Sequence, residues 1–323
     1  MVAKADSVSI RAWVLENDVV AELPLDELAN YRGDGFVWLH VDGAGRNGSP
    51  DLSAFVPGHA ANALLASETR PRCDEADDAA LINLRGTGRE ATIDTDRLVS
   101  IRVWVEARRV TSVTRNTLGA LSKVEAAMRA GRLRDGGDFV SALAQAISIE
   151  LDPKVAALGD RLDECEGEIE NGDIYVLRRN ITALRSQAIA FRRFVAPDRD
   201  ALSTMAQLEF GWISKEDRMH LREAADRFAR MAEELEAVRE RAALLHEQLT
   251  DLRAEIVDRR SLAIAIVAFI FLPLTFITGL LGMNVEGIPF AQKEWAFWGV
   301  LGFCLVVALI VLGWFALRRW LED

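Results

Sequence analysis

The pattern of apolar and polar positions changes three times along the chain. Up to about residue 115, short runs rich in β-branched and aromatic residues alternate with turns, which is typical of strands in an α/β domain. The clearest runs are residues 36–41, 80–84, 98–105 and 109–114. Only three residues separate the last two runs, so they are predicted to form a hairpin.

Two long antiparallel helices are predicted to follow Gly136 and Gly137. Residues 139–170 and 175–195 have a helical period, Asn171-Gly172-Asp173 predicts the turn between them, and Pro197 is expected to interrupt the second helix. The turn is acidic, with Glu164, Glu166, Glu168, Glu170 and Asp173 close to it. This acidity fits either a solvated helix end or a surface that attracts cations.

A third helix is predicted to be very long, because no Gly or Pro occurs between Gly211 and Pro273. It can run without a break from about Trp212 onward. Apolar residues recur along it in steps of three and four, at Leu221, Ala224, Phe228, Met231, Leu235, Val238, Ala242, Leu245, Leu249, Leu252 and Ile256. This is a heptad seam, which either packs against the chain's own helices or joins several copies around an axis. The regular pattern favours self-association.

Residues 261–281 and 296–317 contain no charged residue, and each stretch is long enough to cross a bilayer. Tryptophans flank them at positions 295, 298, 314 and 320, as at a membrane interface. The predicted domains are an α/β domain (1–135), a helical hairpin (136–204), a coiled-coil-like stalk (205–260), two transmembrane helices (261–281 and 295–317), the loop between them (282–294) and a tail (318–323).

The charges that flank the two spans predict that both chain ends lie in the cytoplasm. The protein is therefore expected in the inner, or plasma, membrane. Arginines flank the two spans on one side, at positions 259, 260, 318 and 319, whereas the loop between them holds only Lys293 among basic residues. No signal-peptide pattern is found at the N-terminus, so the large domain is expected to stay in the cytoplasm. A net charge of −11 argues against nucleic-acid partners and suits a surface that collects cations.

No enzymatic chemistry is indicated. Cys73, Cys165 and Cys304 are isolated, and Gly86-Thr87-Gly88 is too short to be a nucleotide-binding motif. We therefore predict no catalytic residues and no resident cofactor.

The first span carries a stripe of mostly small or polar residues at helical spacing: Ser261, Ala265, Ala268, Leu272, Thr275 and Gly279. Small residues in a membrane helix either allow close packing or line an aqueous axis. Two spans cannot enclose an aqueous path, so transport would need a homo-oligomer.

The end of the first span resembles a known signature. Gly282-Met283-Asn284 follows directly on Phe271-Leu272-Pro273-Leu274-Thr275-Phe276-Ile277-Thr278-Gly279, as in the CorA family of divalent metal-ion transporters. The resemblance implies a funnel-shaped homopentamer with the first span around its axis. It makes Gly282, Met283 and Asn284 the selectivity filter at the external mouth, and Gly279, Thr275, Leu272 and Ala268 the pore lining at increasing depth.

The motif also has a physical rationale. Gly282 suits the left-handed conformation that ends many helices, and Asn284 places an amide just beyond it. Neutral amide oxygens can hold a hydrated dication without stripping its water, which lets the ion leave again. Glu286 and Glu294 would raise the cation concentration at this entrance.

Within the family, the loop 282–290 is more similar to the zinc-transporting, ZntB-type branch, so Zn²⁺ is the favoured substrate. A CorA-type Mg²⁺, Co²⁺ or Ni²⁺ channel is the main alternative, and a membrane-anchored scaffold without transport is the second. Neither span has an ionisable residue, so any coupling to protons would use loop or stalk groups. His246 and Glu247 are the stalk candidates for metal or proton binding.

Overall fold

The computed structural model describes residues 8–44, 50–67, 70–88, 98–169, 172–283, 288 and 293–322. The chain divides into two compact units, Met1–His246 and Glu247–Asp323. The first unit contains a sheet and most of the helices, and the second contains the two apolar segments.

One mixed sheet organises the first unit. In the described residues it has seven strands: β1 Ser9–Glu16, β2 Val19–Glu22, β3 Phe36–Asp42, β4 Arg72–Ala76, β5 Ala79–Thr87, β6 Leu98–Val105 and β7 Arg109–Thr114. Their order is β2-β1-β3-β7-β6-β5-β4. Strands β3 and β7 pair in parallel, and the other neighbours pair antiparallel. The predicted α/β fold is confirmed.

The helices follow the strands in two groups. Three short ones are α1 Leu25–Asn30, α2 Gly58–Leu65 and α3 Leu121–Arg129. Four long ones are α4 Gly136–Gly167, α5 Ile174–Gln207, α6 Lys215–Leu281 and α7 Trp295–Glu322. Helices α1 and α2 cover one face of the sheet, where Leu28, Ala60 and Leu64 enter its apolar core.

All four apolar runs that the sequence pattern assigned to strands are strands, namely β3, β5, β6 and β7. The predicted hairpin is β6–β7, with Val105 opposite Val110. The pattern missed β1, β2 and β4. The sequence of β4, Arg-Cys-Asp-Glu-Ala, is mostly polar because it lies at the edge of the sheet with its side chains largely in solvent.

Helix α5 does not end at Pro197, so that prediction was wrong. A proline inside a helix removes one backbone hydrogen bond, yet burial on both sides outweighs this loss, since Val195, Ala201 and Leu202 are all in the core. Buried Asp198 also ties the helix to β5, because its Oδ1 accepts the Arg85 backbone N–H at 3.0 Å. Asp173 caps the start of α5 by accepting from the Tyr175 backbone N–H at 2.7 Å.

Helix α6 starts at Lys215, three residues later than expected, because Ser214 and Asp217 form a reciprocal cap. The Ser214 N–H donates to Asp217 Oδ2 at 2.9 Å, and the Asp217 N–H donates to Ser214 Oγ at 3.0 Å. The helix then continues without a break to Leu281, as predicted, and it passes through Pro273 and Gly279.

The seam of α6 packs within its own chain up to Leu245, so the interpretation that favoured self-association was wrong for that part, whereas Leu252 is half-buried and Ile256 is 39 % exposed. From Leu221 to Leu245 all of its predicted residues are buried. Ion pairs from Glu236 to Arg192 of α5 at 2.8 Å and from Arg241 to Asp163 of α4 at 2.6 Å show that α6 lies against both helices. The filled part of the seam leaves no apolar groove for a second copy.

Replacing Leu235 by alanine is expected to lower the free energy of unfolding by about 2–5 kcal/mol, as for other buried leucines. Leu235 is 0 % exposed, whereas Leu244 on the same helix is 59 % exposed and provides the matched control, Leu244→Ala. Thermal unfolding of the detergent-solubilised protein measures both. If Leu235→Ala instead kept the unfolding midpoint and only dissociated an oligomer, the seam would join copies after all.

Candidate ion pathway

Two helices of the structure are long and apolar enough to cross a membrane, by length and composition. They are α6, in its C-terminal part, and α7, each with a mean hydropathy of 2.6 over its most apolar window. The 2 windows contain no residue that is buried within the chain. Such side chains need lipid or another protein around them.

One face of α6 is covered more than the rest of the span. Half-buried residues recur in steps of three and four, at Ile266, Ile270, Leu274, Ile277 and Leu281. Helix α7 has a matching half-buried stripe at Ala296, Val300, Cys304, Val307, Val311 and Phe315. The rings of Phe269 and Phe315 meet edge to face at 6.2 Å between centroids, so the two spans pack side by side.

The stripe predicted to line a pore lies on the other side of α6. Ala268, Leu272, Thr275 and Gly279 are all exposed in the single chain. At 3.6 residues per turn, the centre of this stripe lies about 170° around the helix from the centre of the half-buried face. The small residues therefore do not serve the packing of α6 on α7, and their face is left for a further surface.

The end of the first span is closed by local hydrogen bonds. The Gly282 N–H donates to the Thr278 carbonyl at 2.9 Å, and the Thr278 hydroxyl donates to the Leu274 carbonyl at 2.9 Å. A Cβ at position 282 would lie 3.1 Å from the Thr278 oxygen. Glycine fits here because it leaves that carbonyl room.

The left-handed conformation predicted for Gly282 is not found. In the described residues, glycines with positive φ are Gly43 and Gly131. The helix ends at Leu281 through a turn that still donates back to Thr278, so the chain does not need the left-handed step that ends many other helices.

The residues around the predicted filter are described only in part. Met283 is exposed directly after the first span, and Glu294 is exposed directly before α7. Asn284 and Glu286 lie outside the described residues. The Gly-Met-Asn motif begins three residues after Gly279, the last member of the stripe of small residues, which is less than one helical turn.

The stalk candidates His246 and Glu247 are neighbours in α6, the first half-buried and the second exposed. Within the described parts of the chain, no group of three or more His, Cys, Asp and Glu side chains is close enough to hold a metal ion. The described residues therefore do not assemble a metal site around His246 and Glu247.

The acidic turn between α4 and α5 is partly neutralised. Arg241 of α6 pairs with Asp163 at 2.6 Å and with Glu166 at 2.5 Å. Further along the same helices, burial first and then Asp152 and Asp160 raise the pKa of Glu234. Carboxylates on this surface are therefore close enough to repel one another.

The sequence pattern did not reveal how the spans pair. The half-buried stripe of α7 mixes small and branched residues with Cys304, and the rest of α7 is equally apolar. The spacing of Ala296, Val300 and Cys304 was the available signal, because small residues four apart mark close helix contacts in membranes.

Comparison with known proteins identifies the family. A family model described as CorA-like Mg²⁺ transporter protein matches residues 33–319. The zinc transport protein ZntB of Klebsiella pneumoniae is 29 % identical over 97 % of this chain and 96 % of its own. The divalent cation transporter CmaX of Pseudomonas aeruginosa is 32 % identical over 88 % of this chain and 86 % of its own.

The solved full-length CmaX structure matches with a TM-score of 0.79 at 28 % identity, covering 98 % of this chain and 99 % of that one. Since the family model matches most of the sequence, from β3 through both spans, the chain belongs to the family of CorA-like Mg²⁺ transporter proteins.

Proposed function

We propose that this protein carries divalent metal cations across the inner membrane, with Zn²⁺ as its principal substrate. The relatives that it matches over most of their length are named as transporters of zinc or of divalent cations. The ion is the transported substrate, and the protein needs no resident cofactor and performs no enzymatic reaction.

The observation that carries the proposal is the free face of α6. Ala268, Leu272, Thr275 and Gly279 point away from α7, so copies arranged around an axis would present this face to one another. A homopentamer built in this way encloses a narrow path lined by Leu272 and by small or weakly polar groups, with Gly282, Met283 and Asn284 at its mouth. Lipid would contact the outer surface of α7.

The two chain ends lie in the cytoplasm in this proposal, and the loop with Glu286 and Glu294 faces outward. The basic residues that flank the spans support this orientation. Carboxylates at the mouth concentrate dications, and amide oxygens from Asn284 accept hydrogen bonds from the ion's water shell. Tight zinc sites use His and Cys, and the first span contains neither residue. In this proposal zinc therefore passes through the span without being bound tightly.

The proposal includes the coupling of zinc uptake to the entry of protons. The spans hold no ionisable side chain, so protons would enter together with zinc through Glu286, Glu294, His246 or Glu247.

Zinc and magnesium are separated by a flux measurement. Purified protein in liposomes that contain a zinc dye and a pH dye is expected to admit zinc in the presence of a large excess of magnesium, with acidification inside. Zinc entry that magnesium blocks would assign the protein to magnesium transport instead. Zinc entry without acidification would remove proton coupling and leave zinc transport standing.

A further inference from the structure

A buried arginine and a buried asparagine lie side by side in the sheet, far in sequence from the membrane spans. Arg102 of β6 is 1 % exposed and Asn83 of β5 is 2 % exposed. The two residues are directly opposite each other in the antiparallel pair β5–β6. Opposite residues point to the same face of a sheet, with Cβ atoms about 5 Å apart.

Both side chains lack hydrogen-bond partners that they need. Arg102 donates from Nη1 to the Leu64 carbonyl at 3.3 Å, but its Nε has no partner. Neither the oxygen nor the nitrogen of the Asn83 amide has one. Buried polar groups are nearly always paired, so these three unpaired atoms are suited to bind a polar ligand.

The positive charge of Arg102 has no carboxylate beside it in the described part of the chain. Neighbouring Arg72, on the same face of β4, pairs with Asp74 at 2.7 Å, and Arg102 has no equivalent ion pair there. Burial, and then the charges of Arg115 and Arg85, lower the pKa of Arg102 to about 10. A buried cation next to two further cations favours an anion between them.

A second arginine, Arg115, directly follows strand β7 and contacts the same end of α2 as Arg102 does. Its Nη2 donates to the carbonyls of Leu65 and Ala66 at 3.4 and 3.3 Å, directly after the Leu64 carbonyl that Arg102 contacts. The carbonyls at the end of α2 thus hold both guanidinium groups in place. They supply partial negative charge only, and no carboxylate among the described residues pairs with Arg102 or Arg115.

The orphaned atoms specify the kind of anion. Arg102 Nε and the Asn83 amide nitrogen need acceptors, whereas the Asn83 oxygen needs a donor. Chloride and sulfate only accept, so they would leave the Asn83 oxygen unpaired. Inorganic phosphate at neutral pH accepts through several oxygens and still carries at least one O–H that can donate.

We propose that Arg102, Asn83 and Arg115 form a binding site for a protonated oxyanion of phosphate type in the α/β domain. The site is independent of the ion path and of the identity of the transported cation. Bound phosphate would neutralise Arg102 and join strands β5 and β6 to the end of α2.

Equilibrium dialysis of the detergent-solubilised full chain against labelled inorganic phosphate tests the site. At constant ionic strength we expect one phosphate per chain, resistant to excess chloride. Arg102→Met should lose this binding, and Asn83→Leu should weaken it at least about tenfold, the effect of one or two lost hydrogen bonds. Arg108→Met is the matched control, because Arg108 lies at the surface in an ion pair with Asp34, and it should bind as the wild type does.

Three results would overturn the proposal. The first is no phosphate retained by the wild type, which would mean that Arg102 and Asn83 pair with each other in solution. The second is equal displacement by chloride, which would indicate non-specific screening. The third is unchanged phosphate binding in Asn83→Leu. This substitution nearly keeps the size of the side chain, so it tests the site even if Arg102→Met does not fold.

Discussion

Replacing Asn284 by alanine is expected to reduce divalent-cation flux at least about tenfold, because every subunit loses one hydrogen bond of roughly 1 kcal/mol to the hydrated ion. The amide is the last polar group of the Gly-Met-Asn motif and the first that an entering ion meets in the proposed path. Zinc uptake by proteoliposomes measures the effect.

The control for this variant is Asn30→Ala. Asn30 is an exposed asparagine in the first unit, where its amide donates only to the Asp26 carbonyl of the same short helix. This variant should transport like the wild type. Equal flux through Asn284→Ala and the wild type, at equal protein in the membrane, would reject the role of Asn284 as the filter.

A second large loss is expected from Gly279→Leu, which places a bulky side chain on the proposed pore-lining face. A Cβ at position 279 meets no other atom within 4 Å in the single chain, so the substitution leaves the fold of one subunit intact. In an oligomer with this face around the axis, a ring of leucines would close the path and reduce flux to below about a tenth, as a hydrophobic constriction does.

Gly302→Leu is its matched control. Gly302 lies in α7, and a Cβ there also meets nothing within 4 Å. We expect this variant to transport zinc normally, since the outer surface of α7 faces lipid in the proposal. Both proteins should elute at the same size as the wild type. If Gly279→Leu conducts and Gly302→Leu does not, the path runs along α7 and the proposed orientation is wrong.

Much of the fold was predictable because local pattern and tertiary role agree. Strands β3, β5, β6 and β7 lie in the middle of the sheet, so their sequences are strongly apolar and easy to recognise. The length of α6 followed from the absence of Gly and Pro between residues 211 and 273. Edge strand β4 was hidden because its solvent-exposed side chains are polar, and β1 and β2 were missed as well.

The errors came from information that a single sequence does not contain. A heptad seam shows that a helix has an apolar stripe, but not whether the partner is another copy or, as found, α4 and α5 of the same chain. Pro197 signals a break, yet the burial of Val195 and Leu202 around it keeps α5 continuous. In the same way, glycine at a helix end suggested a left-handed cap, whereas the structure shows a turn in which a Cβ at Gly282 would lie 3.1 Å from the Thr278 carbonyl oxygen.

The ion path was predictable only in its composition. The small residues of the first span were visible in the sequence, but two interpretations of them stood side by side, helix packing and pore lining. The structure excludes the interpretation that the small residues pack against α7 of the same chain, because the half-buried residues Ile266, Ile270 and Leu274 lie on the opposite face. That the face lines a pore stays a prediction, and so do the filter residues and the subunit number.

The most direct test of the account is whether the purified protein by itself conducts a divalent cation. Liposomes that contain the protein and a metal-sensitive dye are compared with protein-free liposomes in zinc, magnesium, cobalt and nickel gradients. The account predicts that zinc enters only the protein-containing vesicles, and faster than magnesium does. Equal signals from both kinds of vesicle for all four ions would contradict it and leave a membrane-anchored scaffold as the better description.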